Sequence, residues 1–339
     1  MRIYGHILMA AALSAAACTG KEAVPEASDS QITFSISRES LSAHAVKAES
    51  SSALPASSSF GSCAWLRNSA DAAPTLYIPG ELISCKDNVW KAWGENGRED
   101  HSYYWPKSGS LSFLGWAPYS LIDNGLSAEP EGLSLTGWNT LSSQDDIIAA
   151  STERSCEPPH SAVAMTFAHA LAGLSFIFKI SNDPADKLLA CWIQNEDGSL
   201  TISGDMTYSE GSFSWAPAEK AAAGERCYLW ECSGLSLGDS DNGAQAYSAT
   251  VTASAGNIFT SNSGYILTIP QKTGEDSLKL YFRTADADGN EQVRAVGLPA
   301  EDYLPGKRYE YTIRQAPDLA VSVSVRDWNT RYSSSEIIF

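Results

Sequence analysis

Short stretches in which apolar and polar residues alternate recur along most of this chain of 339 residues. Each stretch ends at Gly, Pro, Asn, Asp or Ser, the residues that commonly form turns. Because successive side chains of a strand point to opposite faces of a sheet, an alternation of period two predicts half-buried antiparallel strands. The sequence therefore predicts an all-β fold, with its clearest strands at residues 32–36, 174–180, 265–269, 278–282, 309–313 and 321–325.

The charge of the chain excludes some classes of partner. There are 23 Lys and Arg against 40 Asp and Glu, which gives a formal net charge of −17. A surface that binds nucleic acid has to be basic in order to displace counterions from phosphate, and a polybasic contact with anionic lipid needs the same charge. We therefore expect no nucleic acid among the partners of this protein.

The first residues have the pattern of an export signal. Residues 7–17 form an apolar run of eleven that ends in three alanines directly before Cys18. A helix of this length crosses only about half of a ~30 Å hydrocarbon layer. The end of the run resembles a bacterial lipobox, which predicts a signal peptide over residues 1–17, a lipid on Cys18 that anchors the precursor in the outer membrane, and a flexible tether over residues 18–30. Cleavage by the ordinary signal peptidase, with Cys18 left as a plain thiol, is the alternative.

A pair of prolines suggests where the chain divides. Pro158-Pro159 is incompatible with a helix interior or a central strand. We therefore expect two β-sandwich domains in tandem, one over residues 31–157 and one over residues 158–339. A stretch rich in Ser and Ala over residues 37–59 is expected to form a long exposed loop behind the first strand.

Neither the cysteines nor the acidic residues of the sequence have the spacing expected of a metal site. In an exported protein, the six cysteines that follow Cys18 permit three disulfides, but a chain of this length can also keep buried free thiols, and both interpretations stay open. No Cys-x-x-Cys pair is present, so zinc is not expected. Asp286, Asp288 and Asn290 imitate the start of a calcium loop, but the glycine falls at the wrong position and a hairpin turn explains them. We expect no metal ion and no other cofactor.

Residue patterns of enzyme active sites are also missing. The sequence contains no His-Glu-x-x-His, Gly-x-Ser-x-Gly, P-loop or dinucleotide-binding motif, so an enzyme is not expected. His169 is predicted to be a hydrogen-bonded core or hairpin histidine. An aromatic cluster either packs in the core or forms a platform on which a sugar ring stacks; its members are Trp90, Trp93, Tyr103, Tyr104 and Trp105.

Eight short segments follow one another in an order and spacing that resemble the fimbrillin family, the subunits and tip proteins of a class of bacterial surface pili. They are residues 32–34 (ITF), 103–106 (YYWP), 111–118 (LSFLGWAP), 146–150 (DIIAA), 165–172 (MTFAHALA), 269–271 (IPQ), 303–309 (YLPGKRY) and 325–328 (VRDW). The resemblance implies two β-sandwich domains of transthyretin-like topology and no catalytic residues. In the third segment, the alternation places Phe113 and Trp116 on opposite faces of a strand. Trp328 is expected to close one end of the second sandwich.

The same resemblance implies a structural subunit or tip adhesin of a pilus at the cell surface. Its partners would be other pilin subunits and a ligand on a host or bacterial surface. A fimbrillin precursor carries its own first strand until a protease cuts after a basic residue, expected here at Arg38, two residues beyond that strand, or else at Lys47. The open edge then accepts a strand from another subunit. Residues 336–339 are a candidate donor, although packing beside residues 321–325 is an equal alternative.

A second function also stays open. The protein would then be a surface lipoprotein that binds a glycan or another host ligand and does not polymerise. The ligand-binding residues of either function are not identified by the sequence.

Replacing Cys18 tests the export prediction. The lipoprotein signal peptidase cuts before a lipid-modified cysteine, so the Cys18→Ala precursor should stay uncleaved and take up no labelled fatty acid. Metabolic labelling followed by gel electrophoresis measures both effects, with Cys63→Ala as the matched control. Unchanged labelling of the Cys18→Ala chain would contradict the prediction.

Overall fold

The structure of the protein is a computed structural model that describes residues 27–38, 59–93, 102–180, 185–236, 244–245, 251–253, 258–259, 265–315 and 319–328. The regular elements of the described residues are strands, apart from a six-residue 3₁₀ helix at Tyr119–Asn124. The all-β prediction is confirmed. In chain order the strands are β1 (Ala27–Gln31), β2 (Phe34–Arg38), β3 (Ser59–Arg67), β4 (Thr75–Lys86), β5 (Val89–Ala92), β6 (Tyr104–Pro106), β7 (Ser110–Ala117), β8 (Leu126–Glu129), β9 (Gly132–Asn139), β10 (Ile148–Ser155), β11 (Val163–His169), β12 (Ala172–Lys179), β13 (Lys187–Asn195), β14 (Thr201–Ser209), β15 (Ser212–Lys220), β16 (Glu225–Ser236), β17 (Ala244–Gln245), β18 (Val251–Ala253), β19 (Ile258–Phe259), β20 (Ile266–Thr268), β21 (Gln271–Lys272), β22 (Leu278–Ala285), β23 (Glu291–Gly297), β24 (Asp302–Tyr303), β25 (Lys307–Gln315) and β26 (Leu319–Asp327).

Seven strands of the first half close into a barrel in the order β10-β11-β2-β5-β4-β3-β7. Its interior is filled by aromatic rings, among them Phe60, Phe113 and Phe167, each at most 1% exposed. Trp116 lies on the same strand as Phe113 but points out of the barrel into a different apolar cluster. The predicted opposite orientation of these two side chains is therefore confirmed.

The second half contains two sheets that share one core. One sheet has the order β17-β12-β25-β26, with β20 paired to β12, and the other has the order β19-β18-β16-β13-β22-β23. The alternating apolar side chains of β12, β22 and β25 fill the space between them. Phe178 of the first sheet meets Phe282 of the second with ring centroids 5.2 Å apart. Such interdigitation of two inner faces is the packing of a β-sandwich.

A further four-stranded sheet, in the order β15-β14-β9-β8, combines strands from both halves of the chain. It covers the outer face of the barrel, where Trp65 and Trp116 pack against Leu135 and Met206. In this sheet β14 pairs with β9, so that residues some 70 positions apart in the chain, such as Thr207 and Ser134, lie opposite each other. The two halves of the chain are thus joined by a sheet as well as by the backbone.

Sheet membership changes at residues 170–171, between β11 and β12, and the barrel continues past Pro158-Pro159. Both β10 and β11, which flank the two prolines, belong to the barrel, whereas β12 begins the second half. The two prolines lie in the connection between β10 and β11. Proline suits such a connection as well as it suits a domain boundary, because in neither place does it have to donate a backbone hydrogen bond. The division into two transthyretin-like domains, over residues 31–157 and 158–339, stays a prediction.

The last residues of the expected tether, 27–30, belong to a strand. Ala27–Gln31 forms strand β1 and pairs with β6, so residues 27–30 are not a free linker. The predicted first strand at residues 32–36 is shifted to Phe34–Arg38, after a break at Ile32 and Thr33.

The described cysteines are not joined in disulfides. They are Cys63, Cys85, Cys156, Cys191 and Cys227. Burial raises the pKa of Cys63 and Cys156 to about 11 and that of Cys227 to about 12, so these thiols stay protonated at neutral pH. The side chain of Cys232 lies outside the described residues.

Substitutions at two glycines of the barrel, Gly61 and Gly115, test how tightly the barrel wall is packed. A Cβ at Gly61 would lie 2.2 Å from the buried ring of Trp116, whereas a Cβ at Gly115 would meet the flexible methyl end of Met165 at 2.8 Å. We expect Gly61→Ala to lower the free energy of unfolding by about 2–3 kcal/mol and Gly115→Ala by about 1 kcal/mol less than that. Urea unfolding measures both changes, and equal losses would contradict the assigned packing.

Candidate functional site

The candidate site is the place in the barrel wall that the first described residues occupy. We call residues 27–38 the first segment, and the surfaces of β5, β6, β11 and the barrel core that contact it the first-strand groove. β2 lies parallel to β11 over five residue pairs, from Phe34 with Val163 to Arg38 with Phe167. Its ladder to β5, in contrast, is the single pair of Phe34 with Trp90 among the described residues. β2 thus closes the barrel with a continuous ladder on its β11 side and a single pair on its β5 side.

Apolar side chains of the first segment enter the barrel core. Ile32, Phe34 and Ile36 are 2%, 5% and 8% exposed, while Ser35 between them is exposed. The ring of Phe34 meets the rings of Phe60 and Phe113 edge to face, with centroids 5.6 Å and 5.9 Å apart. Edge-to-face pairs of this kind are favourable beyond the area that they bury. The predicted alternation of this segment is confirmed.

Hydrogen bonds fix the position of the segment along the groove. The backbone N–H of Ile32 donates to the carbonyl of Tyr103 at 2.7 Å, and the N–H of Val163 donates to the carbonyl of Thr33 at 2.8 Å. At one end, Nζ of Lys91 donates to Oε1 of Gln31 at 3.2 Å. These contacts give the groove one register, because a shift by one residue would turn the apolar side chains out of the core.

Arg38, the predicted cleavage residue, lies inside the strand and not beyond it. It is the last residue of β2, where the ladder to β11 still continues with Phe167. The expectation that Arg38 stands in the following loop is therefore corrected, because the parallel ladder extends two residues past Ile36. The other predicted processing residues, Cys18 and Lys47, lie outside the described residues, as do the candidate donor residues 336–339.

The aromatic cluster does not form one flat platform. Trp105 is 2% exposed, belongs to the barrel core and stacks on His160 at 5.1 Å. Trp90 packs partly against the same core. The ring of Trp93 is covered by the ammonium group of Lys91, 4.1 Å from the ring centroid. Core packing is thus confirmed for the first two of these residues.

Of the two tyrosines of the cluster, Tyr103 packs partly against the barrel core and Tyr104 is exposed. Tyr104 is 41% exposed, and the hydroxyl of Tyr103 donates to Oε1 of Glu81 at 2.7 Å. Burial, together with this hydrogen bond, holds the pKa of Tyr103 well above its ordinary value, so the phenol stays a donor. The ring of Tyr77 lies beside that of Tyr103, with centroids 6.3 Å apart.

The two halves of the chain meet at His169, the last residue of β11. This buried histidine bonds through Nδ1 to the carboxylate of Asp146 at 2.9 Å and stacks on the ring of Trp328, with centroids 4.5 Å apart. The predicted hydrogen-bonded core histidine is confirmed. Trp328 also packs against Gly173 and Tyr265, at the end of the second half that faces the barrel.

The described residues do not form a metal site. They contain no group of three or more His, Cys, Asp or Glu placed to hold a metal ion. Asn290 donates its N–H to Oδ1 of Asp286 at 2.9 Å, within the hairpin between β22 and β23, so these acidic residues form the predicted turn. No described helix is long and apolar enough to cross a membrane.

Solved structures of fimbrial and cell adhesion proteins have a similar all-β architecture. A fimbrial protein from Bacteroides vulgatus superposes with a TM-score of 0.59 at 13% identity, over 88% of this chain and 99% of that chain. A candidate cell adhesion protein from Bacteroides ovatus superposes with a TM-score of 0.55 at 13% identity, over 91% of this chain and 100% of that chain. No curated protein matches the sequence.

The chain belongs to the fimbrillin-like family, whose model matches residues 47–328. Membership in this family supports a pilus-related or adhesive role at the cell surface, which is structural in kind. The match begins after β2, so the first segment itself lies outside it, while β5 and β11 of the groove lie within it.

Shortening Phe34 tests how much the first segment stabilises the fold. Phe34→Ala removes a buried ring from between two others and should lower the free energy of unfolding by about 3–5 kcal/mol. The neighbouring change Ser35→Ala, at an exposed position of the same strand, should alter it by less than about 0.5 kcal/mol. Denaturant unfolding of the full chain measures both, and a small loss for Phe34→Ala would show that β2 is not part of the cooperative core.

Proposed function

We propose that this protein is a structural subunit or tip adhesin of a bacterial surface pilus. It is made as a lipoprotein precursor, anchored in the outer membrane through Cys18, and assembles by strand exchange with other pilin subunits after its first strand has been removed. The observation that carries the proposal is the first-strand groove, in which one strand of a closed barrel is supplied by the chain's first described residues. Family membership supports the pilus role itself.

The contacts of β2 suit a strand that is exchanged. Its hydrogen bonds to the barrel run mainly to β11 and are parallel, a pairing slightly less stable per residue than the antiparallel one. Departure of the first segment therefore breaks the ladder to β11, the isolated pair with β5 and the pairing of β1 with β6. The neighbours of β2 keep their other partners, because β5 is paired with β4 and β11 with β10.

An empty groove would be costly. Ile32, Phe34 and Ile36 each contribute about 1.5–3 kcal/mol by leaving water, and the rings that they cover would be exposed with them. The free edge of β11 would also present unpaired backbone N–H and carbonyl groups, which pair readily with another strand. Both effects favour replacement of the lost strand by a strand of another subunit, the mode known as β-strand addition.

Cleavage after Arg38 would release the first segment together with the lipid on Cys18. Strand ends open more readily than strand centres, so the terminal position of Arg38 in β2 is compatible with access by a protease. Lys47 is the second candidate for the cut. Either cut separates residues 27–38 from the remainder of the barrel.

The alternative is a surface lipoprotein that binds a glycan and does not polymerise. The observation that favours it is the group of Tyr77, Tyr103 and Tyr104 beside Glu81 on the barrel surface. Half-exposed rings next to a carboxylate combine stacking with hydrogen bonding, as recognition of sugars requires.

Protease treatment of the purified precursor tests the proposal. An arginine-specific protease should convert the precursor to a shorter chain and produce a ladder of oligomers on gel filtration and unboiled gels. The ladder should disappear when Arg38→Ala and Lys47→Ala are combined, and also when residues 330–339 are deleted. Arg67→Ala, at an exposed arginine that ends β3, is the control and should leave the ladder intact. A cleaved chain that stays monomeric would contradict assembly by strand exchange and favour the glycan-binding alternative.

A further inference from the structure

The outer face of one sheet of the second half carries three flat side chains in a row. Cys191 and Ile193 point into the core, so Trp192 between them points outward. Trp192 of β13 lies directly opposite Tyr281 of β22, and their rings are nearly parallel, with centroids 5.4 Å apart. On the other side of the indole, the guanidinium carbon of Arg226 lies 4.1 Å from the ring centroid. One face of Tyr281 is therefore covered by this stack, and the opposite face turns toward β23.

Tyr281 is fixed at its hydroxyl as well as at its ring. The hydroxyl donates to Oε1 of Glu196 at 3.2 Å. The same carboxylate accepts from Nε2 of Gln194 at 3.3 Å and lies 3.6 Å from Nζ of Lys279. Partial burial and the bond to Glu196 raise the pKa of Tyr281, so the phenol stays protonated. An aromatic side chain held in this way loses little conformational freedom when a ligand stacks on it.

The free face of Tyr281 stands beside two small residues of β23. Ala295, which is exposed, lies directly opposite Tyr281, and Gly297 lies opposite Lys279. Neither residue has a side chain that rises beside the tyrosine ring. We call the surface formed by Ala295, Gly297 and the free face of Tyr281 the β23 shelf.

A carboxylate stands at one end of the β23 shelf. Lys279 points outward, because Leu278 and Leu280 on either side of it are in the core, so a Cβ at the opposite Gly297 would point outward too. Such a Cβ would lie 1.5 Å from Oδ1 of Asp276. This oxygen therefore occupies the place of a side chain on the outer face. Within the described residues the carboxylate of Asp276 is neither hydrogen-bonded nor ion-paired.

We propose that the β23 shelf binds one neutral pyranose ring of a glycan. The C–H face of the sugar stacks on Tyr281, while Asp276 accepts hydrogen bonds from the sugar hydroxyls and Lys279 donates to them. Ala295 and Gly297 are two residues apart on a strand, about 7 Å, so one hexose spans the distance from the tyrosine ring to the carboxylate. The inference goes beyond the proposed function, because the site lies on the second half and does not depend on strand exchange.

The charges around the shelf favour a neutral ligand. An anionic group would be repelled by Asp276, and a cationic group would be repelled by Lys279 on the neighbouring strand. At the other end of the shelf, Arg283 is paired with Glu291 at 3.3 Å. A hydroxyl group both donates and accepts, so it can bond to the carboxylate and to the ammonium group at once.

Saturation-transfer difference NMR on the full-length protein tests the proposal, because this method detects weak binding of small ligands. The probes are the methyl glycosides of glucose, galactose, mannose and fucose, all of them neutral. A single sugar ring that stacks on one tyrosine should bind with a Kd on the order of 1 mM. We expect at least one of the four glycosides to receive saturation, most strongly at the C–H groups of one face of its ring.

Three substitutions at the shelf should weaken this binding to different extents. Tyr281→Ala removes the stacking face and should weaken binding at least about fivefold, whereas Tyr281→Phe keeps the ring and should bind within about twofold of the native chain. Asp276→Asn replaces a charged acceptor by a neutral one and should weaken binding about fivefold. Asn also tolerates the positive φ of 55° at this position. Ala295→Leu fills the shelf at an exposed position and should abolish binding, which keeps the proposal testable if Tyr281→Ala disturbs the fold.

Tyr104→Ala is the matched control, because it removes an exposed tyrosine from the aromatic group on the barrel. It should leave binding of the glycoside unchanged. Loss of binding in Tyr104→Ala but not in Tyr281→Ala or Ala295→Leu would assign the sugar to the barrel and overturn the proposal. Absence of saturation transfer to all four glycosides would overturn it as well. Neither result bears on strand exchange, which the protease experiment tests separately.

Discussion

Closure of the barrel by the first segment is the interaction on which the first half of the fold depends. Without residues 34–38 the strands β5 and β11 have no common neighbour, and the rings of Phe60 and Phe113 lose the ring that packs between them. The constraint is geometric as well as hydrophobic, because a barrel has no free edges only while every strand is present. The strand that completes this barrel stands first among the described residues and is connected to β3 through residues 39–58. A single cut in that connection would change a permanent strand into an exchangeable one.

Local patterns in the sequence identify the strands of this protein better than they identify strand partners. The alternation of apolar and polar residues locates β12, β22, β25 and β26, and it assigns Phe113 and Trp116 to opposite faces of one strand. It says nothing of which strands pair, so the four-stranded sheet that joins β9 to β14 was not predicted. The strand β3 was also missed, because both of its faces are buried, one in the barrel and one under that sheet, and a strand covered on both faces shows no alternation.

The candidate site shows the same division between local and long-range information. The apolar residues of the first strand could be predicted from alternation alone, and their burial is confirmed. The position of Arg38 within β2 could not be predicted in this way. The end of the strand is set by the length of its partner β11, which lies more than 120 residues further along the chain. For a similar reason, the sequence around Lys91 does not indicate that this residue is buried. An isolated lysine in a sequence is expected at the surface, and only the fold brings Gln31 and Trp93 to either side of its ammonium group.

The two walls of the groove are anchored differently, which bears on what an incoming strand would meet. The wall formed by β11 ends at His169, whose ring is fixed by Asp146 and by Trp328 of the second half, and the next residue, Ala170, donates its N–H to Ile147. None of these contacts involves the first segment, so this wall keeps its position when β2 leaves. The opposite wall, β5, is a four-residue strand that, among the described strands, keeps only its pairing with β4 once its pair with β2 is broken. An incoming strand would therefore find its backbone template on β11, with the ring of Trp90 of β5 packed beside it against the barrel core. Because a backbone ladder accepts any sequence, discrimination between strands would have to come from the side chains that enter the core, where a shift by one residue turns every apolar side chain outward.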